Sequence, residues 1–264
     1  MIHSAEQSPW KIEAHAVSKA FRHGATQVEA LRQVSFTIAP NEFAVFLGPS
    51  GCGKSTLLRI IAGFEQPSAG ELLVNGSLII GPGPDRGVVF QTYASFPWLT
   101  VERNIEFGLS VLRMPRSQRH DVVRHWIETT GLTGFEKAYP SALSGGMRQR
   151  LAIARTLATQ PDVLLLDEPF AALDAQTRSD MQEMLLHIWA THRTTVVFVT
   201  HDLREAVYLA DRVLVMSPRP SAIQKIIEIS LPRPRRRDII FSREFARVES
   251  ELLKILRGHT PAAK

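Results

Sequence analysis

One cysteine, Cys52, stands in a chain of 264 residues, so no internal disulfide can form and a reducing compartment is the default. Long apolar runs are missing too. No window approaches 18 consecutive apolar residues, and the densest run, Val163-Leu164-Leu165-Leu166, is cut off by Asp167. No membrane-spanning helix is expected, and a membrane task would fall to a partner. The opening Met1-Ile2-His3-Ser4-Ala5-Glu6 has no cationic stretch leading into an apolar one, which reads against a secretory signal. Charge of one sign is scarce: 31 Lys and Arg against 26 Asp and Glu leave +5, which permits anionic partners without demanding one. Internal repeats are absent, and low complexity is confined to Arg233, Arg235, Arg236 and Arg237. The remainder is ordinary, with 44% hydrophobic and 22% charged residues. That composition supplies a core for one large domain or two small ones and excludes disorder or a coiled coil over most of the length.

Val34, Phe36 and Ile38 alternate with polar residues, the pattern of a half-buried strand. A second strand at 42–47 runs into a glycine-rich turn, and a helix at 54–62 stops at Gly63. Leu72-Leu73-Val74 enters an Asn75-Gly76 hairpin turn. The middle of the chain is helical. Thr100 caps a helix through 109, Ser117 caps another ending at Gly131, and a third runs from after Ser144 to before Pro161. Strands return at 163–166, 195–200 and 212–216. Between the first two, Met181, Met184, Leu185, Ile188 and Trp189 recur at helical spacing and are assigned to core packing. Pro232 and Pro234 make an extended connector, followed by an amphipathic helix near 245–256. The expected fold is α/β, with a parallel-sheet core, an early antiparallel portion and a helical insertion near 95–160.

Gly48-Pro49-Ser50-Gly51-Cys52-Gly53-Lys54-Ser55 fits G-x-x-x-x-G-K-[ST] between a strand and a helix, with Thr56 beside it. Small residues let successive backbone N–H groups converge on phosphate oxygens, and the helix N-terminus adds partial positive charge. Lys54 is expected to reach the β- and γ-phosphates of a nucleotide, and the Ser55 hydroxyl to coordinate Mg²⁺, a pattern shared by many NTPases, including kinases, GTPases and helicases. The strand at 163–166 ends in Asp167 and Glu168. Asp167 suits a Mg²⁺ ligand, and Glu168 a group that orients and polarises attacking water. Phosphoryl transfer depends mainly on positioning and charge stabilisation, so these few groups suffice.

Leu143-Ser144-Gly145-Gly146-Met147-Arg148-Gln149-Arg150 puts a second glycine-rich helix N-terminus in the same chain. One nucleotide seldom needs two such ends from one subunit, whereas two chains packed head to tail would use both. With these motifs in this order, the sequence resembles the ATP-binding subunits of ABC transporters. The resemblance implies a P-loop NTPase (RecA-like) core with an antiparallel β subdomain and a helical subdomain. It places the ATP-binding domain at 11–220, with the helical part at about 95–160, and a C-terminal extension at 221–264. Gln91 resembles the Q-loop glutamine that senses Mg²⁺ and attacking water, and Asp174 the aspartate that contacts the opposite monomer. His201 resembles the switch histidine at the γ-phosphate, and Phe21 lies where the family stacks an aromatic on adenine. Met147 stands where that family commonly has glutamine.

The segments from Gly81 to Gln91 and from Phe96 to Val101, with Ser217-Pro218-Arg219-Pro220 and Leu231-Pro232-Arg233-Pro234-Arg235, resemble the nitrate/sulfonate/taurine import group. The resemblance implies an ATPase on the cytoplasmic face of the bacterial inner membrane, paired with a second copy of itself and with integral-membrane permease subunits. An extracytoplasmic substrate-binding protein would serve it indirectly, and no nucleic acid is expected. Taurine or another aliphatic sulfonate is the first choice of cargo, nitrate the alternative. A soluble ABC ATPase of DNA repair or translation is disfavoured, because no long coiled-coil insertion, zinc module or second cassette is present. A regulator without turnover is disfavoured by the presence of Glu168 and His201. The segment from Tyr93 to Leu99 is too apolar for a free surface loop and is expected either to receive the permease or to pack within the helical block. The arginine cluster at 233–237 reads as a solvated charge run, or as a contact to anionic lipid head groups or the permease.

Overall fold

The computed structural model describes residues 8–24, 26–92 and 94–258. The opening segment read against a secretory signal, and Tyr93, lie outside the described residues. In chain order the elements are β1 (Ile12–His23), β2 (Thr26–Ile38), β3 (Phe43–Leu47), α1 (Lys54–Ile61), β4 (Ala69–Val74), β5 (Ser77–Leu78) and β6 (Arg86–Val89). There follow α2 (Val101–Val111), α3 (Arg116–Thr129), α4 (Gly145–Ala158), β7 (Val163–Asp167), α5 (Ala175–His192) and β8 (Thr195–Thr200). The chain closes with α6 (Leu203–Leu209), β9 (Arg212–Met216), β10 (Ile223–Glu228) and α7 (Arg243–Arg257). Single 3-10 turns lie at Pro140–Ala142 and Arg237–Phe241. Among the described residues, no helix is long and apolar enough to cross a membrane.

Two compact units divide these elements, one made of the chain up to Gly83 and from Thr195 onward, the other of Pro84–Thr194. In the first, β2, β1, β4 and β5 form an antiparallel sheet in that order. Its register pairs Ile12 with Ile38 on one side and with Val74 on the other. Asn75 and Gly76, with φ of 52° and 70°, make the tight hairpin that the Asn-Gly pair predicts. The other sheet of this unit runs β10, β9, β3, β8, with β3 parallel to both β8 and β9. Every residue of β3 and β8 is buried, as expected of parallel strands covered on both faces. Phe46 meets Phe36 edge-on at 5.1 Å, and Phe43 lies 6.1 Å from Phe198.

In the second unit, β6 and β7 pair in parallel, and α2 packs on both α3 and α4. Helix α4 is buried on nearly every side, through Leu151, Ala152, Ile153, Ala154, Leu157 and Ala158. The Met181 stripe of α5 faces the core, with Met181, Leu185 and Ile188 buried. Thr100 caps α2 as expected, and Ser144, after which a helix is expected to begin, caps α4. Ser117 does not cap α3. Helix α3 starts at Arg116, because the carbonyl of Pro115 already accepts from the amides of Gln118 (3.0 Å) and Arg119 (3.2 Å).

The arginine cluster is the larger correction. Arg235 is 6% exposed, and its guanidinium donates to four main-chain carbonyls, those of Val207, Tyr208, Ala210 and Ile229. Burial pushes its pKa down to about 10. Arg233 donates to the Asp211 carboxylate at 2.8 Å and to the Leu209 carbonyl at 2.7 Å. Arg235 belongs to the interior of the first unit, Arg233 is half-buried beside it, and of the four only Arg236 is well exposed.

Candidate functional site

In the first unit, the parallel register pairs Leu47 with Thr200, so Gly48 and His201 each come one residue beyond the same rung. Two loops thus leave the carboxyl ends of neighbouring parallel strands, where α/β folds place their ligands. Gly53 caps α1 at φ 125°, and a Cβ there would lie 3.0 Å from the Ala30 carbonyl oxygen, so both the turn and the close approach require glycine. Lys54 is 3% exposed, and its ammonium donates to the carbonyls of Gly48 at 2.8 Å and Pro49 at 3.0 Å. Ser55 and Thr56 follow in the first turn of α1, whose leading amides have no carbonyl of their own helix to bond. Pro49, Ser50 and Gly51 are exposed at the apex, and Cys52 is buried.

His201 is exposed on a turn whose flanks are tightly held. The Thr200 hydroxyl donates to Glu205 Oε2 at 2.6 Å, and the Asp202 amide donates to the Thr200 hydroxyl at 3.0 Å. Asp202 in turn caps α6, accepting from the Glu205 amide at 3.1 Å. Sequence reasoning missed Glu205, although Asp202-x-x-Glu205 is a legible capping pattern. A cavity of about 430 Å³ opens here, lined by residues 48–52 of the glycine-rich loop, His201, Met216, Pro218, Arg219, Gln224 and Leu256. Phe21 does not line it. That ring sits half-exposed on β1, with the Lys19 ammonium 5.1 Å from its centroid.

In the second unit, the β6–β7 register pairs Val89 with Leu166, so Gln91 and Glu168 both come two residues beyond that rung. Asp167 is buried at the end of β7, and Glu168 follows half-buried with φ 45°. A left-handed glutamate costs about 1–3 kcal/mol of backbone strain, the kind of outlier that clusters at functional sites. Ser144 caps α4, its hydroxyl accepting from the Met147 amide at 3.3 Å. Gly145 and Gly146 open that helix, and a Cβ on Gly146 would lie 2.5 Å from Thr177 Cγ2. Asp174 caps α5, accepting from the Thr177 amide at 3.0 Å. The Thr177 hydroxyl and amide together hold its carboxyl below the usual range. Among the described residues, no three His, Cys, Asp or Glu side chains gather as a metal cage.

Residues 31–171 match the family model described as ABC transporter. This chain belongs to the ABC transporter family. The cassette is an ATPase, whose hydrolysis of ATP drives transport. It is 49% identical over 247 residues to an uncharacterised ABC transporter ATP-binding protein of Methanocaldococcus jannaschii, across 94% of this chain and 91% of that protein. It is 46% identical over 243 residues to an aliphatic sulfonates import ATP-binding protein of Bacillus cereus, across 92% and 94% respectively. A solved dimeric ABC cassette in a post-hydrolysis state, bound to ADP and Pi, matches with a TM-score of 0.73 at 29% identity. That match covers 84% of the cassette and 100% of the solved chain. The structural neighbours bear out the α/β P-loop fold expected from the motifs.

The apolar segment at 94–99 divides in the cassette. Phe96 is half-buried, its ring 4.5 Å from Phe107 and beneath the Arg155 guanidinium at 4.9 Å. Trp98 is 70% exposed. The fully buried Asn104 holds their loop, accepting from the Phe96 amide at 2.8 Å and donating to the carbonyls of Phe96, Leu99 and Thr100. Sequence reasoning did not single out Asn104. A polar residue on the otherwise apolar inward face of the helix was the available signal.

Proposed function

We propose that the cassette powers an importer of a small anion or zwitterion, with taurine or another aliphatic sulfonate as the cargo. The similarity to the Bacillus cereus sulfonate import protein over more than nine-tenths of both chains carries this reading. The loop segments that resemble the nitrate/sulfonate/taurine group support it, and nitrate is the alternative within the same group.

Residues 11–220 form the ATP-binding domain in this reading, with 221–264 as an extension. The loop from Gly48 to Thr56 cradles the phosphates, with Lys54 as the cation and Phe21 against the adenine. Ser55, Gln91 and Asp167 would hold Mg²⁺. Their hydroxyl, amide and carboxylate oxygens are the hard donors that ion prefers. Bound Mg²⁺ supplies charge neutralisation at the phosphates. Glu168 takes a proton from the attacking water and orients it, and His201 donates toward the γ-phosphate. Two chains pair head to tail, so that Ser144, Gly145 and Gly146 of each close the other's site and Asp174 faces the opposite monomer. The dimeric state of the solved ADP-bound cassette supports that arrangement.

Trp98 marks the surface offered to a permease, and the pair sits on the cytoplasmic face of the bacterial inner membrane. An extracytoplasmic binding protein delivers the cargo. The test is ATPase activity of the cassette reconstituted with its permease in vesicles, with binding protein and cargo added. Stimulation by taurine or an alkanesulfonate is expected. Stimulation by nitrate alone would move the cargo within the group, and none by any binding protein would defeat the importer reading.

A further inference from the structure

Arg219 belongs to a segment that the reaction as described leaves unused. Its guanidinium Nη2 donates to the carbonyl oxygen of Gly51 at 2.8 Å, across 168 positions of sequence. Gly51 is the apex of the phosphate loop, at φ 74°, and a Cβ placed there would meet nothing within 4 Å. Packing therefore does little to fix the Gly51 side of this peptide.

The arginine, by contrast, grows from a rigid base. Ser217 and Ala222 close the turn beneath it, the Ser217 amide donating to the Ala222 carbonyl at 3.0 Å and the Ala222 amide to the Ser217 hydroxyl at 2.9 Å. Ser221, fully buried, donates its amide to the Ala30 carbonyl at 3.0 Å, and its own carbonyl accepts from Arg32 at 2.9 Å. Ala30 is also the residue against which Gly53 makes its close approach. One wall thus carries the arginine's turn and one end of the phosphate loop.

We infer that Arg219 is a positioning residue for the phosphate loop. The oxygen of Gly51 and the N–H of Cys52 sit on opposite edges of one planar trans peptide. Holding the oxygen outward fixes the direction of that N–H. A charged donor does this more firmly than a neutral one. Within the loop the same amide has only a long 3.3 Å bond to the Pro49 carbonyl. The inference rests on the proposed nucleotide site insofar as the N–H faces a phosphate, but the ordering of the loop can be read without nucleotide.

Cys52 is the sole thiol of the chain, is buried, and lies in the peptide that Arg219 holds. Its alkylation by iodoacetamide in the full chain, without nucleotide, reports loop opening directly. Arg219→Ala should raise that rate about five- to tenfold, the weight of one solvent-exposed hydrogen bond, with the melting temperature lowered by no more than about 2–4 °C. The Kd for MgATP should rise by a similar factor, with kcat little altered. Arg219→Lys, which keeps the charge but not the planar fork, should fall between. An alanine variant with wild-type thiol reactivity and wild-type Kd would overturn the inference. Lys54→Ala separates the two readings: if it too binds MgATP normally, the nucleotide site is misassigned, and the thiol rates alone then decide the role of Arg219.

Discussion

Nη1 of Arg235 lies 2.6 Å from the carbonyl oxygen of Ala210, the residue that ends α6. The last carbonyls of a helix have no amide partner within it. Here a cation from 25 residues further along supplies one, and it also reaches the Ile229 carbonyl at 3.2 Å. Arg233 adds the Leu209 carbonyl. The segment that looks most soluble in the sequence is thereby an internal clamp on the helix that follows His201.

Replacing Arg235 by alanine should cost about 3 kcal/mol, because buried carbonyls lose their donor. Lysine should recover little, since a point ammonium cannot reproduce a planar fork that addresses both the helix end and Ile229. Denaturant unfolding measures both. Stabilities within about 0.5 kcal/mol of wild type would mean that water replaces the guanidinium without loss.

Phe96 and Trp98 should behave differently, although they are two residues apart. Phe96→Ala removes a ring packed on Phe107 and Arg155 and is expected to lower stability by about 2 kcal/mol. Trp98→Ala should leave folding and the basal ATPase alone while weakening co-purification with the permease about tenfold. Equal loss of stability in both variants would assign the whole segment to the core.

Glu168→Gln keeps the side-chain size and the left-handed backbone, so the comparison isolates the proton-accepting oxygen. Turnover should fall by about 10²–10⁴, with ATP still bound and the closed dimer accumulating. Near-wild-type turnover in the purified transporter would remove Glu168 from the reaction.

The head-to-tail pairing can be tested with one chain carrying Lys54→Ala and its partner Ser144→Arg. If the Ser144-Gly145-Gly146 helix start acts on the other chain's nucleotide, one composite site holds both defects and the second holds neither. The mixed dimer should then occlude one nucleotide, held as ADP, when trapped with vanadate, whereas each mutant homodimer occludes none. No occluded nucleotide in a folded, paired mixture would show that the Ser144-Gly145-Gly146 helix start serves its own chain.

The phosphate loop, the Asp167-Glu168 pair, the Ser144 cap and the strands that carry them were legible in the sequence, because each depends on residues within a few positions of one another. Strand periodicity and helix caps are local, and the loop's glycines are required by its own turn and by the helix it opens. Even Glu205 was readable, through the capping pattern it shares with Asp202. The arginines were not. Arg235 and Arg236 are neighbours of the same type, yet one is buried among carbonyls and the other is exposed. Composition reads both as surface charge, and only the folded path of 229–235 past the end of α6 distinguishes them. The division of Phe96 from Trp98, the Asn104 anchor and the reach of Arg219 to Gly51 were likewise decided by tertiary structure. Each depends on backbone polar groups or side chains brought together by packing, and a hydrogen bond between residues 168 positions apart leaves no local pattern to read.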